Sequence, residues 1–139
     1  HQLVISTGML VEGRHFFAGA DLAALGHKAL AVNLSDLAAM GATPRAFTLA
    51  LALPTADDAW LSAFARGLFS LADAHGASLV GGDTTRGPLA ICITVMGEVP
   101  TAQALRRDRA RPGDEIWVSG ALGAAALAVR RRLAGTPLP

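Results

Sequence analysis

Short apolar runs rich in valine and isoleucine alternate along this chain with longer stretches whose apolar residues recur three or four apart. That alternation restricts the fold more than any single motif, because runs of the first kind suit strands and stretches of the second kind suit amphipathic helices. Residues 2–6, 45–53, 77–80, 89–99 and 115–119 read as strands, although the alanines in 45–53 suit a helix equally well. Asp21 is placed to cap a helix running to about Met40, and Gly41 to stop it. Thr55 or Asp57 caps a second helix over residues 58–75, with Trp60, Leu61, Phe64, Leu68 and Leu71 on one stripe and Gly76 at its end. A third helix follows residues 120–123 and runs to about Leu133, where Arg130, Arg131 and Arg132 complement the helix dipole. Strands alternating with helices predict a layered α/β or α+β domain.

Composition narrows the function classes. The 139 residues are 52% hydrophobic and 17% charged, enough for one ordinary domain with a real core. A formal net charge of +1 gives no strong general attraction to nucleic acid. No apolar stretch reaches the roughly 20 residues of a membrane span. Cys92 is the only cysteine, so neither an internal disulfide nor a cysteine-based zinc site can form, which fits a cytoplasmic protein. Its place in an apolar run predicts a buried small hydrophobe. His1-Gln2-Leu3-Val4 starts inside a strand pattern without an initiator Met, and Gly135-Thr136-Pro137-Leu138-Pro139 is a loop that leads onward, so a longer protein is expected at both ends. Arg111-Pro112-Gly113-Asp114 suggests a boundary, with one domain over residues 1–112 and the first strand and helix of another over 113–139.

Three polar stretches could carry chemistry. Asp36 is an acid in Asn33-Leu34-Ser35-Asp36-Leu37-Ala38-Ala39-Met40-Gly41-Ala42, where Leu30, Leu34, Leu37 and Ala38 form a helical stripe. A carboxylate there must be paired, hydrogen-bonded or metal-bound if it is buried. Ser6-Thr7-Gly8 and Gly81-Gly82-Asp83-Thr84-Thr85-Arg86-Gly87 read as turns. All three are expected to converge at one sheet edge, where α/β folds place ligands. The second turn combines close backbone approach, a carboxylate, hydroxyls and a guanidinium, a kit suited to magnesium and polyphosphate. It is neither a Walker A loop nor a dinucleotide fingerprint, and an ordinary turn explains the same residues.

Together, Ser-Thr-x-Met-Leu-Val-Glu-Gly-x-His-Phe, Asn-Leu-Ser-Asp-Leu-Ala-Ala-Met-Gly-Ala, Gly-Gly-Asp-Thr-Thr-Arg-Gly-Pro-Leu and Arg-x-x-x-Ala-Arg-Pro-Gly-Asp, in that order from Ser6 onward, resemble the thiamine-monophosphate kinase family. This family belongs to the superfamily that includes aminoimidazole ribonucleotide synthetase. The resemblance implies the amino-terminal domain of that superfamily, a mixed sheet flanked by helices, with the sheets of a homodimer joining into a barrel-like core and each site drawing on both chains. It implies ATP-dependent phosphorylation of thiamine monophosphate to thiamine diphosphate with several Mg²⁺ ions and no covalent protein intermediate. Residue by residue, it implies metal-site roles for Ser6 and Thr7, a carboxylate shared between ions at Asp36, a nucleotide contact at Gly82, metal and nucleotide contacts at Asp83, an ATP-binding Arg107 and a substrate-contacting His15. A loop histidine beside Phe16 and Phe17 also has a structural reading, and Arg106, Arg109 and Arg111 compete with Arg107. Gly8 departs from the pattern: it stands where the family has an aspartate. Two further readings therefore accompany the first, a catalytically impaired homologue that keeps only fold, dimerisation or nucleotide binding, and a related ATP-dependent enzyme with another acceptor.

Overall fold

The computed structural model describes residues 1–118 and 120–137, which divide into two compact units, His1–Arg107 and Asp108–Pro139. The first unit contains β1 (Gln2–Val11), α1 (Leu22–Ala39), β2 (Thr43–Leu53), α2 (Asp58–Ala74), β3 (Ser78–Arg86) and β4 (Ala90–Val99). The strands form one sheet in the order β1-β4-β2-β3. β4 runs antiparallel to both β1 and β2, while β2 and β3 run parallel, joined through α2 as a parallel pair requires. The sheet is therefore mixed.

Register decides which side chains enter the core. Across the sheet, Leu10, Ile91 and Leu51 share one row, Gly8, Ile93 and Leu49 the next on that face, and Ser6, Val95 and Phe47 the one after. Ile91, Ile93, Val95, Phe47 and Leu51 are all buried, so these rows face the helices. Intervening residues point the other way, and on that face Leu3, Ile5 and Met9 remain 57–67% exposed. Leu25, Ala29, Leu30, Leu34 and Leu37 of α1, with Phe64, Leu68 and Ala72 of α2, complete one core. α1 and α2 cross almost backbone to backbone. A Cβ at Gly26 would lie 2.0 Å from the Phe64 carbonyl oxygen, and one at Gly67 would lie 1.8 Å from that of Ala23.

Helix ends follow the sequence closely. Asp21 accepts from the Ala24 N–H at 2.7 Å, and Asp57, not Thr55, accepts from that of Trp60 at 2.6 Å. After α1 the Gly41 N–H donates to the Ala38 carbonyl and the Ala42 N–H to that of Leu37, with Gly41 at φ 69°. This Schellman arrangement satisfies carbonyls the helix would otherwise leave orphaned.

Other expectations are corrected. Ser6-Thr7-Gly8 is not a turn: it lies within β1, where Val95, Thr94 and Ile93 of β4 supply ladder partners. Gly81 through Arg86 likewise belongs to β3, paired along β2. Both stretches have turn composition, but an adjacent strand offers their backbone groups hydrogen bonds that a turn would forgo. Ala38 is exposed, and Asn33 takes a place in the buried stripe of α1. Cys92 is half-buried and shares its row with Met9 and Ala50, away from the helices, so it is not a core residue.

In the second unit α3 (Ala124–Leu133) begins after Gly123 and carries Arg130, Arg131 and Arg132 in its last turn. Residues 115–118 form no strand: Ile116 and Trp117 are 95% and 82% exposed, and no described strand lies beside them to complete a ladder. Ser119, the end of that expected strand, and Leu138 and Pro139 of the expected terminal loop lie outside the described residues.

Candidate cation and nucleotide site

Strand alternation turns Ser6 toward α1, whose last turn presents Asp36. The Ser6 hydroxyl donates to Asp36 Oδ2 at 2.5 Å, a short charge-assisted bond between residues 30 positions apart. Asp36 is otherwise solvent-exposed, so its remaining lone pairs are open to a ligand. Its position is electrostatically costly. A carboxylate near a helix carboxyl end meets the negative pole of the dipole, and the last turn of α1 holds no basic residue to offset it. Carboxylate and helix end thus add to one field that favours a cation.

Gly8 lies two residues farther along the same face of β1, opposite Asn33 of α1. Asn33 is 2% exposed. Its Nδ2 donates to the Ala29 carbonyl at 2.9 Å, while among the described residues its Oδ1 has no hydrogen-bond partner. A Cβ at Gly8 would stand 2.8 Å from that Oδ1. Sequence reasoning passed over Asn33, although a polar residue on the apolar stripe of α1, one helical turn before Leu37, was the available signal.

Thr7 faces away from Ser6 and Asp36. Its hydroxyl is 2.9 Å from that of Thr94, and Thr48 follows Thr94 in the same row. Asp83 pairs with Ala50 on β3, the edge strand opposite β1. Three strand spacings separate those edges, roughly 14 Å. Asp36 and Asp83 therefore do not meet within one chain, contrary to the expected convergence at one edge, and among the described residues no three His, Cys, Asp or Glu side chains gather to hold a metal. Gly82 has a backbone reason for being glycine: its φ is 149°, and a Cβ would fall 1.8 Å from the Leu49 carbonyl oxygen.

His15 is exposed in the loop after β1, and the Val11 N–H donates to its Nδ1 at 3.0 Å. A neutral ring accepting at Nδ1 carries its proton on Nε2, which makes Nε2 a hydrogen-bond donor. Lys28 Nζ donates to the His15 carbonyl, which ties the loop to α1. Of its neighbours, Phe16 is buried and Phe17 is 40% exposed. Arg107 is exposed and opens a single 3-10 turn, Arg107–Arg109.

The family model described as AIR synthase related protein, N-terminal domain, matches residues 1–99. This chain belongs to the AIR synthase related protein family. The matched AIR synthase related domain takes in the whole four-stranded sheet and both of its helices. The chain is 54% identical over 129 residues to a thiamine-monophosphate kinase of Salmonella typhimurium, covering 91% of this chain and 40% of that protein. It superposes with a TM-score of 0.93 on the crystal structure of thiamine-monophosphate kinase from Stenotrophomonas maltophilia, at 56% identity over 96% of this chain and 42% of that one. AaThiL complexed with AMPPCP and TMP superposes with a TM-score of 0.90 at 30% identity, covering 99% of this chain and 44% of that one. The chain thus spans about 40% of the length of the curated relatives it matches. Among the described residues no helix is long and apolar enough to cross a membrane.

Proposed function

We propose that this chain is the nucleotide- and magnesium-binding domain of a protein that transfers the γ-phosphate of ATP to thiamine monophosphate, giving thiamine diphosphate. The observation that carries this reading is the identity of 54% over 129 residues with a thiamine-monophosphate kinase. The AMPPCP and TMP bound in AaThiL supply the chemistry of the two substrates.

Joining two phosphates requires relief of their mutual repulsion and in-line alignment, both supplied by position and charge without a covalent intermediate. Mg²⁺, when bound, would supply positive charge that offsets the negative charge of the phosphates. Among the residues present, Asp36 with Ser6 would hold such an ion: one open carboxylate and a hydroxyl suit a metal that keeps several waters and takes its other ligands from phosphate. Asp83 would serve as a second carboxylate, Gly82 would bring backbone close to the nucleotide, and the Thr7 backbone would flank the Ser6 site. Arg107 would pair with ATP phosphate, and Nε2 of His15 would donate to the thiamine-bearing substrate. A homodimer whose sheets meet through their uncovered faces, each site drawing on two chains, reconciles these roles with the sheet-wide separation of Asp36 from Asp83. Such a kinase needs no membrane or nucleic-acid partner and suits the cytoplasm.

The test is an acceptor panel. Full-length protein is incubated with ATP, Mg²⁺ and a set of monophosphate esters while ADP release is followed. Thiamine monophosphate is expected to give the highest kcat/KM. Release driven by a different acceptor, with thiamine monophosphate inert, would assign the protein to a related reaction.

A further inference from the structure

We infer that the groove between the β1–α1 loop and the start of α2 binds a flat organic cation, stacked beside Trp60 and paired with the Glu12 carboxylate. None of the residues that line it has a part in the metal, nucleotide or substrate roles proposed above, so the groove stands apart from phosphate transfer.

Two adjoining cavities of about 570 and 220 Å³ share Glu12, Leu22, Trp60 and Leu89 in their walls. The larger also meets Leu53 and Asp57, and the smaller Phe16 and Leu25. Together they have the size and the mostly apolar lining of a small-molecule site, where a few placed polar groups fix the ligand. Trp60 is half-buried, and its ring lies 14° from parallel to that of Phe64, with centroids 5.1 Å apart. Phe64 is itself buried, so the stack holds the indole against the core from one side.

Charge selects the occupant. The backbone at Glu12 is pinned: its N–H donates to the Leu89 carbonyl at 3.3 Å, and the Gly13 N–H to that of Phe16 at 2.9 Å. The Glu12 carboxylate itself meets no hydrogen-bond donor and no cation among the described residues. Lys28 is committed to the His15 carbonyl, and Arg14, two residues on, makes no ion pair with Glu12. Asp57 accepts the Trp60 N–H at Oδ1, which leaves Oδ2 open, and Asp58 adds a third carboxylate in the first turn of α2. Those two acids offset the positive pole of that helix, so the rim of the groove is left negative. An anion would be repelled there, and a neutral ring would leave the Glu12 charge unused. A cation delocalised over a flat ring meets both demands, with apolar walls and an indole for its body and a carboxylate for its charge.

Binding of N-methylquinolinium to the full-length protein, compared with neutral quinoline at neutral pH, tests this without ATP or thiamine monophosphate. The indole N–H resonance of Trp60, identified by its loss in Trp60→Phe, is expected to shift on titration, with the cation bound about fivefold or more tighter than quinoline. Glu12→Gln should bring the two affinities within about twofold of each other, while the thermal midpoint holds because Glu12 is exposed and unpaired among the described residues. Equal affinities in the native protein, an unmoved Trp60 resonance, or a preference that survives Glu12→Gln would overturn the inference. So would displacement of the cation by saturating ATP and Mg²⁺, which would put it in the phosphate-transfer site. Turnover enters none of these readouts, so the groove and the kinase reading stand or fall separately.

Discussion

Asp36 is the residue on which the proposed chemistry turns. It sits at the unfavourable end of its helix, held by one hydroxyl from a distant strand, and no packing role explains it. Asp36→Asn is expected to lower Mg²⁺-dependent AMPPCP affinity by about tenfold, the scale of one contact to a charged group, with the unfolding midpoint unchanged. Calorimetric titration checks this, and unaltered affinity would make the Ser6–Asp36 bond purely structural. Gly82 makes a different prediction. Gly82→Ala must displace the Leu49 carbonyl or abandon a φ of 149°, so it should destabilise the protein by about 2 kcal/mol or more, seen in chemical denaturation, before any effect on nucleotide is read. At this scale the sequence was legible where a residue broke its local pattern, as Asp36 does. It was not legible for Asn33, because the orphaned Oδ1 appears only once β1 is laid beside α1.

Among the elements, the two helices were readable from their caps and stripes: Asp21, Asp57 and Gly41 do locally what their chemistry favours. Four of the five expected strands form, and β1 and β3 run well past their expected ends. Ser-Thr-Gly and Gly-Gly-Asp-Thr-Thr carry turn composition, yet partners on β4 and β2 draw them into the sheet, a tertiary effect that overrides local preference. Residues 115–118 are the converse case: strand-like side chains without a neighbour remain exposed and unpaired into any sheet. The crossing of α1 and α2 was invisible beforehand, because Gly26 and Gly67 interrupt two helical patterns for a reason that lies across the interface. Gly26→Ala and Gly67→Ala should each cost about 3 kcal/mol, since neither carbonyl can yield without separating the helices. Gly19→Ala, where a Cβ meets nothing within 4 Å, should cost only about 1 kcal/mol for its φ of 71°. Equal losses at all three positions in urea denaturation would refute the close crossing.

For the whole molecule, the mixed sheet has one face covered by helices and one not. Leu3, Ile5 and Met9 line part of the uncovered face. If that face joins two chains, sedimentation of the full-length protein should give a dimer, and Ile5→Lys with Met9→Lys should give a monomer whose phosphate transfer is lost. A double variant that stays dimeric would move the interface elsewhere. The separation of Asp36 from Asp83 gives this prediction its weight, because Asp36 is tied through Ser6 to β1 while Asp83 lies on β3, the opposite edge strand. The most direct measurement is ³¹P NMR of full-length protein with ATP and thiamine monophosphate, with and without Mg²⁺. Paired diphosphate resonances of thiamine diphosphate should grow only with Mg²⁺ and vanish with Asp36→Asn. ATP converted to ADP and inorganic phosphate alone, or thiamine diphosphate formed equally well in excess chelator, would contradict the kinase reading.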